Sequence, residues 1–228
     1  MPKGVVFTYE ALGLDGSEYV AATKAVERLI KRGEMKRVNA GRFYKPRASL
    51  FGELRPNEEE LLKPYLFSGG KRVAYVTGIS LYNRMGLTTQ ISSVIQVASR
   101  SKRVTATLGN TRVKPVKGYV EVTKENVRFL EILDALKDFT SIPDLDKRSA
   151  ITLLSNQIME MNEKAQANLI SCALQYPPRV RAFLGALLDA MGQSHKVGRL
   201  RNSLNPLSQY SLGLDGELLP TAEQWSIY

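Results

Sequence analysis

Several stretches of this sequence hold residues of the right type for chemistry, and each lacks the rest of a site. Gly69-Gly70-Lys71-Arg72 offers the glycines and lysine of a phosphate-binding loop. It has neither that motif's upstream glycine nor a Ser or Thr after the lysine, so the reading is rejected. Gly78-Ile79-Ser80-Leu81-Tyr82 begins like a nucleophile elbow, but Tyr82 stands where the second glycine is needed, and no acid–His pair accompanies Ser80. Ser80 is therefore read as an ordinary helix residue. Glu131, Asp134 and Asp138 share a helical spacing that could hold a divalent cation. A solvated acidic helix face is the simpler expectation. His195, the single histidine, is expected at a surface helix end, and Cys172, the single cysteine, as a small buried hydrophobe in an apolar helix. One His and one Cys exclude a multi-His or Cys-rich metal site and a disulfide scaffold. No catalytic, cofactor or metal constellation is found, and the expectation is that the protein is not an enzyme.

The positions of the charges say more. The chain carries +10 net, and residues 1–50 hold 10 Lys/Arg against 5 Asp/Glu. Residues 51–117 hold 11 against 4, residues 118–148 hold 5 against 7, and residues 149–228 hold 6 against 6. The whole excess lies in the first half, which points to a polyanion, most commonly nucleic acid. An apolar content of 43% and a charged content of 24% are those of a globular chain. The longest apolar-plus-glycine run, Ala182 to Leu188, is too short to span a bilayer, so no membrane partner is expected and the location is read as cytoplasmic.

The elements that must position these residues follow from periodicity. Thr8 to Gly13 reads as a very short helix and Ser17 to Arg32 as a longer one, with Tyr19, Ala22, Val26, Leu29 and Ile30 as its apolar stripe. Met35–Val38 and Arg42–Tyr44 read as a hairpin around Asn39-Ala40-Gly41. A helix is expected from about Arg55 to Leu66, a strand at 74–77 and a helix at 78–85. Strand-like runs follow at 94–97, 104–108 and 111–113, the last two joined by a turn at Gly109-Asn110. Thr123 is expected to cap a helix to Phe139 with Val127, Leu130, Leu133 and Leu136 inward. Helices are then expected over 147–175 and from Pro177-Pro178 to Met191, followed by an irregular tail. The fold class expected is α+β: an N-terminal winged helix-turn-helix over 1–50, a mixed α/β-hairpin region over 51–145, and a mainly helical part over 146–228.

In the first 47 residues, a short helix, a longer basic helix and a basic hairpin follow one another. That is the order of the back half of a winged helix. Ser17, Ala21 and Lys24 would face base edges in a major groove, and Arg28 and Lys31 would follow the phosphates. Lys36, Arg37, Asn39, Arg42 and Lys45 would form a wing on the backbone or in the neighbouring minor groove. A second group of cations, Arg100, Lys102, Arg103, Arg112, Lys114 and Lys117, has no acidic residue within its span and suggests an anionic partner.

The residues also carry a resemblance. Phe7-Thr8-Tyr9, Ala25-Val26-Glu27-Arg28-Leu29, Lys31 through Val38, and Gly41-Arg42-Phe43-Tyr44-Lys45-Pro46 resemble the N-terminal winged helix of AbiEi-type antitoxins. Phe51-Gly52-Glu53-Leu54, Tyr75-Val76-Thr77-Gly78, Tyr82 through Gln90 and Leu130 through Leu136 continue the match in order, so that it spans residues 4–145. Before Val5, where family members carry a further helix, this chain has four residues. The resemblance implies an antitoxin of a bacterial type IV toxin–antitoxin system, of the kind tied to phage abortive infection. Such a protein represses its own operon through promoter DNA, and its C-terminal domain, here 51–228, counteracts a nucleotidyltransferase toxin. The competing expectation is an RNA- or ribosome-associated basic protein without promoter specificity. Phe43, Tyr44 and Tyr9 would then be its candidates for base stacking.

Overall fold

The structure is a computed structural model that describes residues 2–9, 12–39, 41–49, 52–54, 56, 58–108 and 111–228; the side chains of 17, 39, 49, 52, 58 and 59 are also outside the description. The architecture is mixed α+β, with helix and strands at the N-terminus, a central sheet and a helical C-terminal half. Two compact units divide the chain: residues 1–70 with 106–112, and residues 71–105 with 113–228.

In the first unit, β1 (Val6–Thr8), β2 (Lys36–Asn39) and β3 (Arg42–Tyr44) form an antiparallel sheet in the order β1-β3-β2, and α1 (Gly16–Lys31) lies between β1 and β2 in the chain. Phe7 sits opposite Phe43, and Val6 opposite Tyr44. The sheet and helix meet through Phe7, Val26 and Phe43, with Tyr9, Leu12, Ile30 and Met35 packed around them. Tyr9 meets Phe43 edge-on at 5.0 Å between ring centroids, a favoured aromatic geometry. Strand β1 is not signalled by the sequence, because three residues are too few to show alternation, and Thr8 belongs to it rather than to a helix. The rest of the expected short helix includes residues outside the description. Helix α1 starts one turn position before Ser17, because Asp15 is its N-cap and the Asp15 amide donates to Glu18 Oε2 at 3.3 Å. Tyr19, assigned to the apolar stripe, is 50% exposed.

The same unit continues beyond residue 50. Strands β4 (Arg47–Ser49) and β5 (Gly52–Leu54) form a second antiparallel hairpin, and α2 (Glu58–Leu66) buries Leu62 and Leu66. Strand β6 (Phe67–Ser68) leads into Gly69 and Gly70, at φ 55° and 74°. The first segment of this unit ends at these glycines, and β7 (Lys71–Arg72) opens the second unit.

The second unit contains β8 (Tyr75–Thr77), α3 (Ile79–Arg84) and β9 (Val94–Ser99). Most of β11 (Thr111–Lys117) belongs to it as well, in the order β11-β9-β8, whereas β10 (Ala106–Leu108) falls in the first unit. The turn expected at Gly109-Asn110 lies outside the described residues. Helix α4 (Val127–Asp138) buries Val127, Leu130, Leu133 and Leu136, as its period predicts. Its N-cap position is Asn126, whose Oδ1 accepts from the Thr123 amide at 2.9 Å, so Thr123 precedes the helix without capping it. The single helix expected over 147–175 is two, α5 (Lys147–Met159) and α6 (Glu163–Ala173). Neither Gly nor Pro marks that break. Asn162 makes it, accepting from the Ala165 amide at 2.9 Å. Helix α7 (Pro178–Ala190) is buried nearly all round, and α8 (Gly198–Asn202) precedes the tail. Trp225 of the tail lies against Gly185 of α7, where a Cβ would come within 2.2 Å of the indole. No helix among the described residues is long and apolar enough to cross a membrane.

Candidate nucleic-acid interface

Helix α1 turns its cations away from its own core. At about 100° per residue, Ala21, Lys24, Arg28 and Lys31 fall within about 80° of one another, and Val26 lies roughly opposite their centre. Val26 is 4% exposed, while all four of the others are exposed. The position of Ser17 falls on the same face, although its side chain lies outside the described residues. Arg32 flanks this stripe and pairs with Glu34 at 3.1 Å. Arg28 and Lys31 occupy the last turn, where the helix dipole favours cations in any case. Among the described residues, Lys24, Arg28 and Lys31 have no carboxylate partner. The stripe can therefore meet phosphates without first breaking an ion pair.

The wing divides its cations between two faces. In the β2–β3 ladder Lys36 is opposite Tyr44 and Arg37 is opposite Phe43, with a bulge between Arg37 and Asn39. Arg37 lies on the Phe43 side, its guanidinium 5.5 Å from the ring centroid, and stays exposed. Lys36 and Arg42 project from the other side and are engaged. Lys36 is ion-paired with Glu53 of β5. Arg42 stacks on Tyr65 of α2 at 4.4 Å from its centroid and donates to the same phenol oxygen. The expected wing thus presents Arg37 and Lys45 to solvent and turns Lys36 and Arg42 toward its own unit. The Asn39 side chain lies outside the described residues. Phe43 and Tyr44 are both buried, at 1% and 6% exposure, so neither is placed for base stacking. Glu53 and Tyr65 carry no sequence signal for these contacts, because their partners are 17 and 23 residues away.

The second cationic group is divided between the two units. All six side chains are exposed, but Arg112 groups with the first unit, and Arg100, Lys102, Arg103, Lys114 and Lys117 with the second. Arg100 is tethered: it donates to Gln175 Oε1 at 3.1 Å and lies 3.9 Å from Glu121. Lys117 lies over the Tyr119 ring at 5.5 Å.

The acidic residues of α4 overturn the expectation of a solvated face. Asp134 is 1% exposed. Its Oδ2 accepts from Tyr75 at 2.8 Å and Thr77 at 2.6 Å, and its Oδ1 from Lys137 at 2.9 Å and Tyr176 at 3.3 Å. Tyr82 donates to Asp138 at 2.6 Å, and Arg84 to Glu131 at 2.6 Å. Burial, reinforced by the Asp134 charge, pushes the Tyr75 and Tyr176 phenols far above the usual tyrosine range. Burial and then Asp138 do the same to Tyr82. Burial acts to lower the Lys137 ammonium, but the Asp134 and Asp138 carboxylates outweigh it and hold the group above the ordinary lysine value. The carboxylates are thus occupied by internal donors. No group of three or more His, Cys, Asp or Glu among the described residues is placed to hold a metal ion. Sequence reading missed this network because β8 and α6–α7 supply its donors from 42 to 59 residues away.

A family profile, described as a family of unknown function and designated DUF6088, matches residues 1–155. The fold is similar to the crystal structure of the Rv2827c protein from Mycobacterium tuberculosis, at a TM-score of 0.56 and 14% identity, covering 91% of this chain and 80% of that one. No curated protein matches the chain.

Proposed function

The chain belongs to the DUF6088 family, and we propose that it is a DNA-binding antitoxin that represses its own promoter. The observation that carries the DNA-binding part is the α1 stripe of Lys24, Arg28 and Lys31, exposed opposite Val26, in the same unit as the exposed Arg37 and Lys45 of the wing. A helix end and a hairpin bearing cations in one unit match a major-groove helix with backbone contacts at its side. The antitoxin part rests on the AbiEi-type blocks between residues 4 and 145, whose family counteracts a nucleotidyltransferase toxin. In this reading the protein acts by binding, without a catalytic centre.

A mobility-shift titration tests it, using duplex from upstream of the protein's own gene against scrambled duplex. Preference for the upstream fragment is expected, and equal affinity for both would remove the repressor reading. Co-expression with a cognate nucleotidyltransferase toxin should restore growth. Failure to do so with folded protein present would remove the antitoxin reading.

A further inference from the structure

We infer that Glu53 and Tyr65 form an intramolecular clasp that withholds two wing cations from nucleic acid and so sets the affinity of the interface. The inference rests on the DNA-binding reading above and adds a regulatory contact to it. Lys36 and Arg42 lie on one side of the β2–β3 ladder, as their registers with Tyr44 and Asn39 require. Both meet the same following segment of the first unit. Glu53 of β5 takes the Lys36 ammonium, and Tyr65 of α2 takes the Arg42 guanidinium on its ring face and its oxygen.

These contacts copy what a phosphate backbone would offer, namely an anionic oxygen for the lysine and an oxygen acceptor for the arginine. Lys36 and Glu53 are about half exposed, at 47% and 49% of their side chains, so water and salt reach the pair and it exchanges readily. A clasp of this strength tunes affinity and does not abolish it. Arg37, on the opposite side of the ladder, and the α1 stripe are outside its reach, so basal binding persists while the clasp is closed.

The test is a double-mutant cycle on the full chain, read as affinity for the upstream duplex. Glu53→Gln should tighten binding by roughly 1.5- to five-fold, the range set by an exposed ion pair. Removing one negative charge also raises affinity through the general field, so the cycle includes Lys36→Met. If the clasp operates, Glu53→Gln gains clearly less in the Lys36→Met background, where only the general-field gain remains because there is no cation left to release. An equal gain in both backgrounds, or no gain in either, overturns the clasp and leaves the DNA-binding reading standing. If the parent and Glu53→Gln both fail to bind any duplex while remaining folded, the DNA-binding reading falls and takes the clasp with it. Tyr65→Leu with Arg42→Met gives the second cycle, with the same expectation.

Discussion

Replacing Asp134 by Asn probes the polar centre of the second unit. The carboxylate receives four donors, two on each oxygen, at 2.6 to 3.3 Å, and one of them is the Lys137 ammonium. An Asn amide keeps one acceptor oxygen and sets its NH2 against the two donors on the other side. Removing one partner of a buried ion pair costs about 3–5 kcal/mol. Asp138, 3.6 Å from the Lys137 ammonium, retains part of its compensation and places the expectation near about 3 kcal/mol. For a unit of this size that corresponds to a fall in melting temperature of roughly 6–12 °C. The assay is urea unfolding followed by the fluorescence of Trp225, the single tryptophan, which lies in the second unit. The midpoint should shift at constant slope. A loss below about 1 kcal/mol would show that the four-donor network does not hold α4 to the sheet, and the reasoning would be wrong.

Gly185→Ala should displace the Trp225 indole, since the new Cβ would lie 2.2 Å from it; a red-shifted emission and a loss of about 1–3 kcal/mol are expected, and an unchanged spectrum would contradict the packing. Stability should fall above about pH 10. The unfolded chain then releases protons from Tyr75, Tyr82, Tyr176 and Lys137 that the folded state still holds, at up to about 1.4 kcal/mol per pH unit for each group. A flat urea midpoint between pH 9 and 11 would refute this. Asp189 behaves in the opposite sense. The Ser194 hydroxyl, against opposing burial, and then the Trp225 indole and Arg201 lower its pKa, so its contribution is present above about pH 4 and is lost as pH falls through the lower folded value. Trp225 emission should therefore report loosening of the tail in acid before α4 melts. In the wing, Arg37→Glu should weaken binding to all duplexes alike, whereas Lys24→Ala should change the preference between them.

Periodic elements were the legible part of the fold. Helix α4 and helix α7 follow their apolar spacing, and the basic face of α1 follows from the 3.6-residue repeat alone. Short elements escaped, because β1, β4 and β5 have three residues each and are made by pairing rather than by propensity. Asn162 starts a new helix through one side-chain acceptor, a signal too weak to compete with the long polar-apolar run around it. The interface was legible in outline, but the division of its cations was not. Whether Lys36 faces phosphate or Glu53 depends on a hairpin that the sequence hides. The acidic residues of α4 were misread for the same reason. Their i, i+3 and i, i+4 spacing looks like a wet face until β8 and Tyr176 supply the hydroxyls that let Asp134 be buried.

The salt dependence of binding to the upstream duplex tests the central claim most directly. Lys24, Arg28, Lys31, Arg37 and Lys45 are exposed and unpaired among the described residues. If Arg28, Lys31, Arg37 and Lys45 each meet one phosphate, log affinity falls with log salt at a slope of about −3.6. The triple variant Lys24→Ala, Arg28→Ala, Lys31→Ala should retain its fold and bind with a slope near about −2. A parent slope near zero, or a triple variant with the parent's affinity and slope, would contradict the assignment of α1 as the nucleic-acid-binding helix.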